Sequence, residues 1–318
     1  MGIKATIKRV FSQAARLLVR AHILPDRIVI RMDGGICSQM HFYLVGSMLE
    51  ARGNKVSYDL EWFSTDGKDL DGRFCRNFDL LKLFPRLNFT TTRGILRRIY
   101  LSAFYRHNKY FDNDEPQTAW LGCKSPAYFD GYFHDNDEMY GEVFRRIFAT
   151  DPAVLSEDNT ELLKVIEDST KGEACAVHVR RGDLSRYNPA YGNPAEKEYF
   201  VDSFRKVAME DTGGIRFFVF SDEPEWFREH LLPYLGDYDI TICDSNGSDK
   251  GWCDLLLMSR CRHQITSQGS MGKFAALMRP AQVRTGLVTL PPNATSQEWL
   301  SRYPRAEIIT ASVPSERD

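Results

Sequence analysis

The chain has 318 residues, 43% hydrophobic and 26% charged, with 41 lysines and arginines against 43 aspartates and glutamates. This is the make-up of a folded chain of one large or two medium domains, and a net charge of −2 excludes the broad basic surface of a general nucleic-acid binder. Seven scattered cysteines without a CxxC pair argue against a zinc site or disulfide framework and for reduced thiols in a cytoplasmic protein.

Residues 1–24, "MGIKATIKRVFSQAARLLVRAHIL", carry Lys4, Lys8, Arg9, Arg16 and Arg20 and no acid. Ile3, Ile7, Val10, Phe11, Ala14, Leu17 and Leu18 fall near helical spacing. The interrupting arginines exclude a signal peptide and a spanning helix. Two readings stand: a basic amphipathic helix lying on the inner membrane face, or a solvated helix packed on its own domain.

"RIVIR" (27–31) reads as a strand, followed by a glycine turn and a helix closed by Gly53, then a strand at 55–60. Residues 61–150 are aromatic and irregular, and a mostly helical segment is expected there. Its "DND" triplets, 112–114 and 135–137, follow no strand and read as solvated loops rather than metal ligands. From about 174 the alternation is regular, with strands at "ACAVHVR", "IRFFVF", "YDITIC", "HQITS" and "GLVTL" and helical patterns between them. That rhythm predicts a parallel sheet covered by helices on both faces. The expected divisions are a basic helix at 1–24, an acceptor-side domain at 25–155, a donor-binding domain at 156–300 and a tail at 301–318.

Open parallel sheets bind ligands beyond the carboxyl ends of their strands. The residues there are Asp33-Gly34-Gly35, Arg180-Arg181-Gly182-Asp183, Ser221-Asp222-Glu223, Asp244-Ser245 and Ser267 to Ser270. Arginines for phosphates, acids for base or ribose, and backbone N–H groups at helix starts suit a nucleoside diphosphate. Alternate strand residues share a face, so His178 and Arg180 point to one side and Arg181 to the other. The plainer reading of the pair is a structural clamp between arginine and Asp183. For Asp222 and Glu223 the plainer reading is a helix cap before Pro224. "SQGSMGKF" (267–274) is no P-loop, because Ser267 stands at the first glycine position and Phe274 follows the lysine. GxGxxG, GxSxG and HExxH are absent.

Taken together, "HVRRGD" (178–183), "FVFSDEPEW" (218–226), "CDLLLMSRCRHQITS" (253–267), "IRMDGGICSQMHFY" (30–43) and "FDGYFHDNDEMY" (129–140) resemble blocks of the α-1,2-fucosyltransferases of glycosyltransferase family 11. The likeness extends more distantly to the α-1,6- and protein O-fucosyltransferases, and it covers about 27–300. Two blocks depart from the usual pattern: Cys37 and Ser38 replace Gly-Asn, and "TSQGSMGKFAAL" lacks a tryptophan pair and is closer to the α-1,6 branch. The departures bear on acceptor and linkage more than on donor.

The resemblance implies an α/β, GT-B-like fold of two Rossmann-like domains facing a cleft, the C-terminal one a doubly wound parallel sheet. It implies inverting, metal-independent transfer of L-fucose from GDP-fucose to a sugar hydroxyl, an α-1,2 linkage on galactose, in surface polysaccharide synthesis. No cofactor or metal is implied. Carried over, Arg180 and Arg181 hold the diphosphate and His178 lies against the nucleotide. Asp222 or Glu223 reads guanine or ribose, and Ser267, Gln268, Gly269 and Ser270 contact phosphate. Asp183 joins the arginines in the catalytic set, with Asp33 and Asp183 both candidates for a general base. Gly34, Gly35, Gln39 and His41 lie on the acceptor side. The expected partners are a GDP-sugar and a carbohydrate acceptor, free or lipid-linked, with no nucleic acid, in the cytoplasm or peripheral to the inner membrane. Two alternatives are a transferase for another sugar nucleotide or linkage, and a non-catalytic protein that binds nucleotide sugars.

Overall fold

The computed structural model describes residues 3–68, 72, 74–107, 119–131, 139–182, 194–210, 213–280, 283, 286–291 and 308–310. The chain divides into two compact units. The first comprises Met1–Lys68, Arg76–Asp79 and Arg86–Met139, and the second Asp69–Cys75, Leu80–Pro85 and Tyr140–Asp318.

The first unit holds α1 (Ile3–Arg20), β1 (Ile28–Arg31), α2 (Ile36–Glu50), β2 (Val56–Asp59), α3 (Gly94–Ala103), β3 (Tyr105–His107) and β4 (Ala127–Asp130). Its four strands are all parallel, in the order β2-β1-β4-β3. The apolar run Ile28–Ile30 is buried, as expected of a strand covered on both faces. Ala15 and Val19 of α1, Val29, Tyr100, Ala103 and Phe104 of the α3 region, and Tyr128 of β4 form one apolar cluster. Between β1 and α2 the chain turns at Gly34, whose φ is +74° and whose Cβ would lie 2.8 Å from Ser38 Oγ. Only glycine suits that position.

Among the described residues, the stretch 61–150 is not mostly helical. It supplies β3 and β4, and β4 lies directly beside β1. "AYFD" is four residues long with three buried, too short and too uniformly apolar at its start to show a period. Both Asp-rich triplets lie outside the described residues.

The second unit holds α4 (Glu142–Ile147), α5 (Glu157–Glu167), β5 (Glu173–Val179), α6 (Lys197–Glu210), β6 (Ile215–Ser221), α7 (Pro224–His230), β7 (Asp239–Ile242), α8 (Gly251–Ser259), β8 (His263–Ile265), α9 (Met271–Leu277), β9 (Val288–Leu290) and β10 (Ile308–Thr310). All six strands are parallel, in the order β10-β9-β8-β5-β6-β7. The chain runs outward from β5 through β6 to β7, then returns to the other side of β5 and runs outward again. This is the expected doubly wound sheet, with its switch point between β5 and β8.

Cys175, Val177 and Val179 of β5 and Phe217 and Val219 of β6 pack with Tyr199, Phe200, Phe204 and Val207 of α6 and Phe227 of α7. Phe204 and Phe217 lie 4.3 Å apart between ring centroids. His178 points to the opposite face, against Gly272 of α9. At the start of β6, buried Arg216 donates to the carbonyls of Val165, Ile166, Asp168 and Gly172 at 2.6–3.3 Å, which ties the end of α5 to the sheet. Each unit is thus α/β with a parallel sheet, the make-up of a GT-B-like chain.

Candidate active site

The switch point of the second unit places the ends of β5, β6 and β8 side by side. Val179 pairs with Ser221 in register, so Arg180 emerges next to Asp222. The Arg180 guanidinium lies 2.7 Å from Asp222 Oδ2, and the Arg181 backbone N–H donates to Asp222 Oδ1 at 3.0 Å. Gly182 closes this turn, where a Cβ would come 2.4 Å from Asp222 Oδ2. One carboxylate therefore fixes both the cation and the backbone that follows it.

The β8 loop holds the other side. Ser267 and Gln268 are fully buried. Ser267 Oγ accepts from the Arg180 N–H at 3.0 Å and pairs with His178 Nδ1 at 3.1 Å. Gln268 Nε2 donates to the Arg180 carbonyl at 2.8 Å, and its Oε1 accepts from the Ala195 N–H at 2.8 Å. Gly269 takes φ +88°, and Ser270 precedes the first turn of α9. Both backbone polar groups of Arg180 are thus held by buried side chains, while the side chain stays part-exposed. The result is a cation held rigidly at the crevice.

The two arginines diverge as alternation requires. Arg181 stacks its guanidinium 4.0 Å over the Trp226 ring and donates to the Ala195 carbonyl at 3.3 Å. His178 lies beneath the turn, 6% exposed. Burial, with Arg180 and Lys273 close by, pushes its pKa down to about 3, so the imidazole is neutral. The Glu223 N–H donates to Ser221 Oγ at 3.0 Å, one residue before Pro224 opens α7. Asp183 lies outside the described residues.

The first unit has its own switch point, between β1 and β4. Arg31 and Asp130 bridge it at 3.0 Å, and Tyr105 donates to Asp130 at 3.2 Å. Burial alone would lower the Arg31 pKa, but Asp130 and Asp33 outweigh it and raise it. Gly34 and Gly35 form the turn that leads into α2. Gln39 is fully buried, donating to the carbonyls of Gly34 (3.1 Å) and Asn77 (2.8 Å) and accepting from the Asp79 N–H (2.9 Å). It braces the glycine turn from inside. His41 sits two residues further along α2, its ring edge-on to Phe42.

Two groups escaped the sequence reading. Lys273 of α9 is buried beside His178 and lowers its proton affinity. Asp254 of α8 accepts from Asn246 Nδ2 at 2.8 Å, and desolvation pushes its pKa up to about 7 against that hydrogen bond. A lone acid in the apolar run "WCDLLLMS" was the available signal.

A family model, glycosyl transferase family 11, matches residues 82–304. The chain belongs to that family. An alpha-1,2-colitosyltransferase of Escherichia coli is 26% identical over 294 residues, 87% of this chain and 95% of that protein. The galactoside alpha-(1,2)-fucosyltransferase 1 of Homo sapiens is 30% identical over 107 residues, 32% of this chain and 28% of that protein. Among solved structures, the fucosyltransferase NodZ from Bradyrhizobium aligns with a TM-score of 0.43 at 13% identity, over 80% of this chain and 93% of that one. As a family 11 glycosyltransferase, the chain binds a nucleotide-sugar donor and a carbohydrate acceptor and has a fucosyltransferase-like activity.

Proposed function

We propose that the chain is an inverting, metal-independent fucosyltransferase that moves L-fucose from GDP-fucose to a galactose hydroxyl in an α-1,2 linkage, building a surface polysaccharide on a lipid carrier. The observation that carries this reading is the fixed cation at the β5/β8 switch point, in a chain of a family whose relatives are named as alpha-1,2-transferases.

In this reading the acceptor hydroxyl attacks the anomeric carbon from the face opposite the diphosphate, and GDP leaves with the bonding electron pair. Arg180 faces the departing diphosphate and stabilises its growing charge. Asp222 engages both its oxygens with Arg180 and Arg181, so it orients the cation, and Glu223 is left to meet the nucleoside. Arg181, stacked on Trp226, shapes the loop and is second to Arg180. Neutral His178 supports Ser267 beneath the site without adding charge that would repel Arg180. The glycine loop at 267–270 presents backbone N–H groups to phosphate. The first unit takes the acceptor near Gly34, Gly35 and His41.

A second reading is favoured by one observation. The relative that spans 87% of this chain is a colitosyltransferase, so colitose in place of fucose is the competing donor sugar. The test incubates the purified chain with GDP-fucose and a β-galactoside, measures GDP release and determines the new linkage by NMR. Turnover that survives EDTA and yields an α-1,2-fucoside is expected. No turnover with GDP-fucose, or activity that EDTA removes and Mn²⁺ restores, overturns the reading.

A further inference from the structure

An amphipathic helix of a water-soluble protein ordinarily turns its apolar stripe inward. Helix α1 does the reverse. Its packed side is narrow and small: Ala15 and Val19 are buried against Val29, Tyr100, Phe104 and Tyr128. At 100° per residue, Val10, Leu17 and Ile7 fall on the other side, with Leu18 and Phe11 on the flank that joins the two. They are 60, 62, 63, 40 and 43% exposed. Ile23, just past the helix, is 68% exposed. Five large apolar side chains thus form a continuous outward stripe on one helix, wider than scattered surface hydrophobics would make.

Charge borders that stripe. Arg9, Arg16 and Arg20 line one edge in the helical projection, and Lys8 lies beyond the other. None of the chain's 43 acids lies in residues 1–24, although the whole chain carries a net charge of −2. The cationic character is local to this helix. Arg16 is held 5.4 Å over the Phe104 ring and Lys8 5.9 Å over the Tyr105 ring, which anchors the borders to the body of the unit. No helix of the described residues is long and apolar enough to cross a membrane.

We propose that α1 docks the protein on the surface of an anionic lipid membrane, lying in the interface plane with Ile7, Val10, Phe11, Leu17 and Leu18 among the acyl chains and the arginines at the headgroups. Charge complementarity selects this occupant. A second copy of the chain on the same stripe would bring two cationic borders together, whereas acidic headgroups satisfy the apolar face and the borders at once. The inference does not depend on the donor or the linkage.

Vesicle flotation of the full chain tests it, with phosphatidylcholine alone and with phosphatidylcholine mixed with phosphatidylglycerol. Binding to the anionic vesicles, weakened by salt and absent with the neutral ones, is expected. The double variant Val10→Asp/Leu17→Asp should lower partitioning by at least about tenfold with an unchanged Tm, because both sites are exposed. Arg9→Gln and Arg20→Gln should each lower it roughly fivefold. The proposal is overturned if the wild type stays unbound with anionic vesicles, or if the double variant binds them as well as the wild type. It is also overturned if sedimentation velocity shows a dimer that the double variant abolishes.

Discussion

Buried His178 and half-buried Asp254 are groups of the second unit whose proton affinities are shifted in opposite directions from their unfolded values. His178 is pushed down from 6.5 to about 3, chiefly by burial and then by Arg180 and Lys273. Between those values the unfolded chain holds the extra proton, so this group makes stability rise with pH. Its contribution is complete above pH 6.5 and is lost as pH falls towards about 3. At about 1.4 kcal/mol per pH unit the full interval corresponds to about 5 kcal/mol. Asp254 is pushed up from 3.8 to about 7 by desolvation. Here the folded chain holds the extra proton, so stability falls as pH rises through that window. Partial solvent access at Asp254 screens the effect, leaving about 2–4 kcal/mol.

Between pH 4.5 and 6.5 the two slopes oppose each other, and the wild type hides both. Replacing one group exposes the other. Relative to wild type, His178→Gln should lose stability with rising pH across those two pH units, by about 2–3 kcal/mol. Asp254→Asn should gain stability with rising pH by about 1–3 kcal/mol, and the double variant should again run nearly parallel to wild type. Urea unfolding followed by tryptophan fluorescence at several pH values measures this. If both single variants run parallel to the wild type, neither group is shifted as its burial requires, and the neutral-imidazole account of the site fails.

Two further outcomes follow from close contacts. Gly272→Ala would place a Cβ 3.0 Å from His178 Cβ; we expect a loss of about 1–3 kcal/mol, measured by thermal unfolding, together with weaker GDP binding. Asp222→Asn keeps the side-chain shape but removes the charge that orients Arg180. It should slow transfer by roughly tenfold to a hundredfold while Arg180→Ala abolishes it. A rate unchanged in Asp222→Asn would mean that the ion pair does not set the arginine.

Much of the second unit was legible in the sequence, because seven-residue strands such as Glu173–Val179 alternate with amphipathic helices. The strand ends hold Arg180, Ser267 and Gln268, which the structure brings together. The arginine's partner was not legible. Asp222 reaches it across the β5/β6 register, which one-dimensional spacing does not encode, while Asp183, the partner of the plainer reading, lies outside the described residues. The resemblance put Gln39 on the acceptor side beside the glycine turn, and its burial was not legible, because its backbone partners at 77 and 79 come from a distant segment. Strand β4 was missed for lack of a period in four residues. Helix α1 was read as either membrane-facing or packed, and the structure shows a narrow packed side and a wide apolar side turned outward.

The central claim is that a cation fixed at the β5/β8 switch point holds the diphosphate of a guanine nucleotide. Calorimetric titration of GDP into the wild type and into Arg180→Ala tests it most directly, with UDP and CMP as controls. The account predicts that GDP binds the wild type, that UDP and CMP do not, and that Arg180→Ala binds GDP about a hundredfold more weakly with its Tm preserved. Equal GDP affinity in the two proteins, or no GDP binding by the wild type, would contradict it.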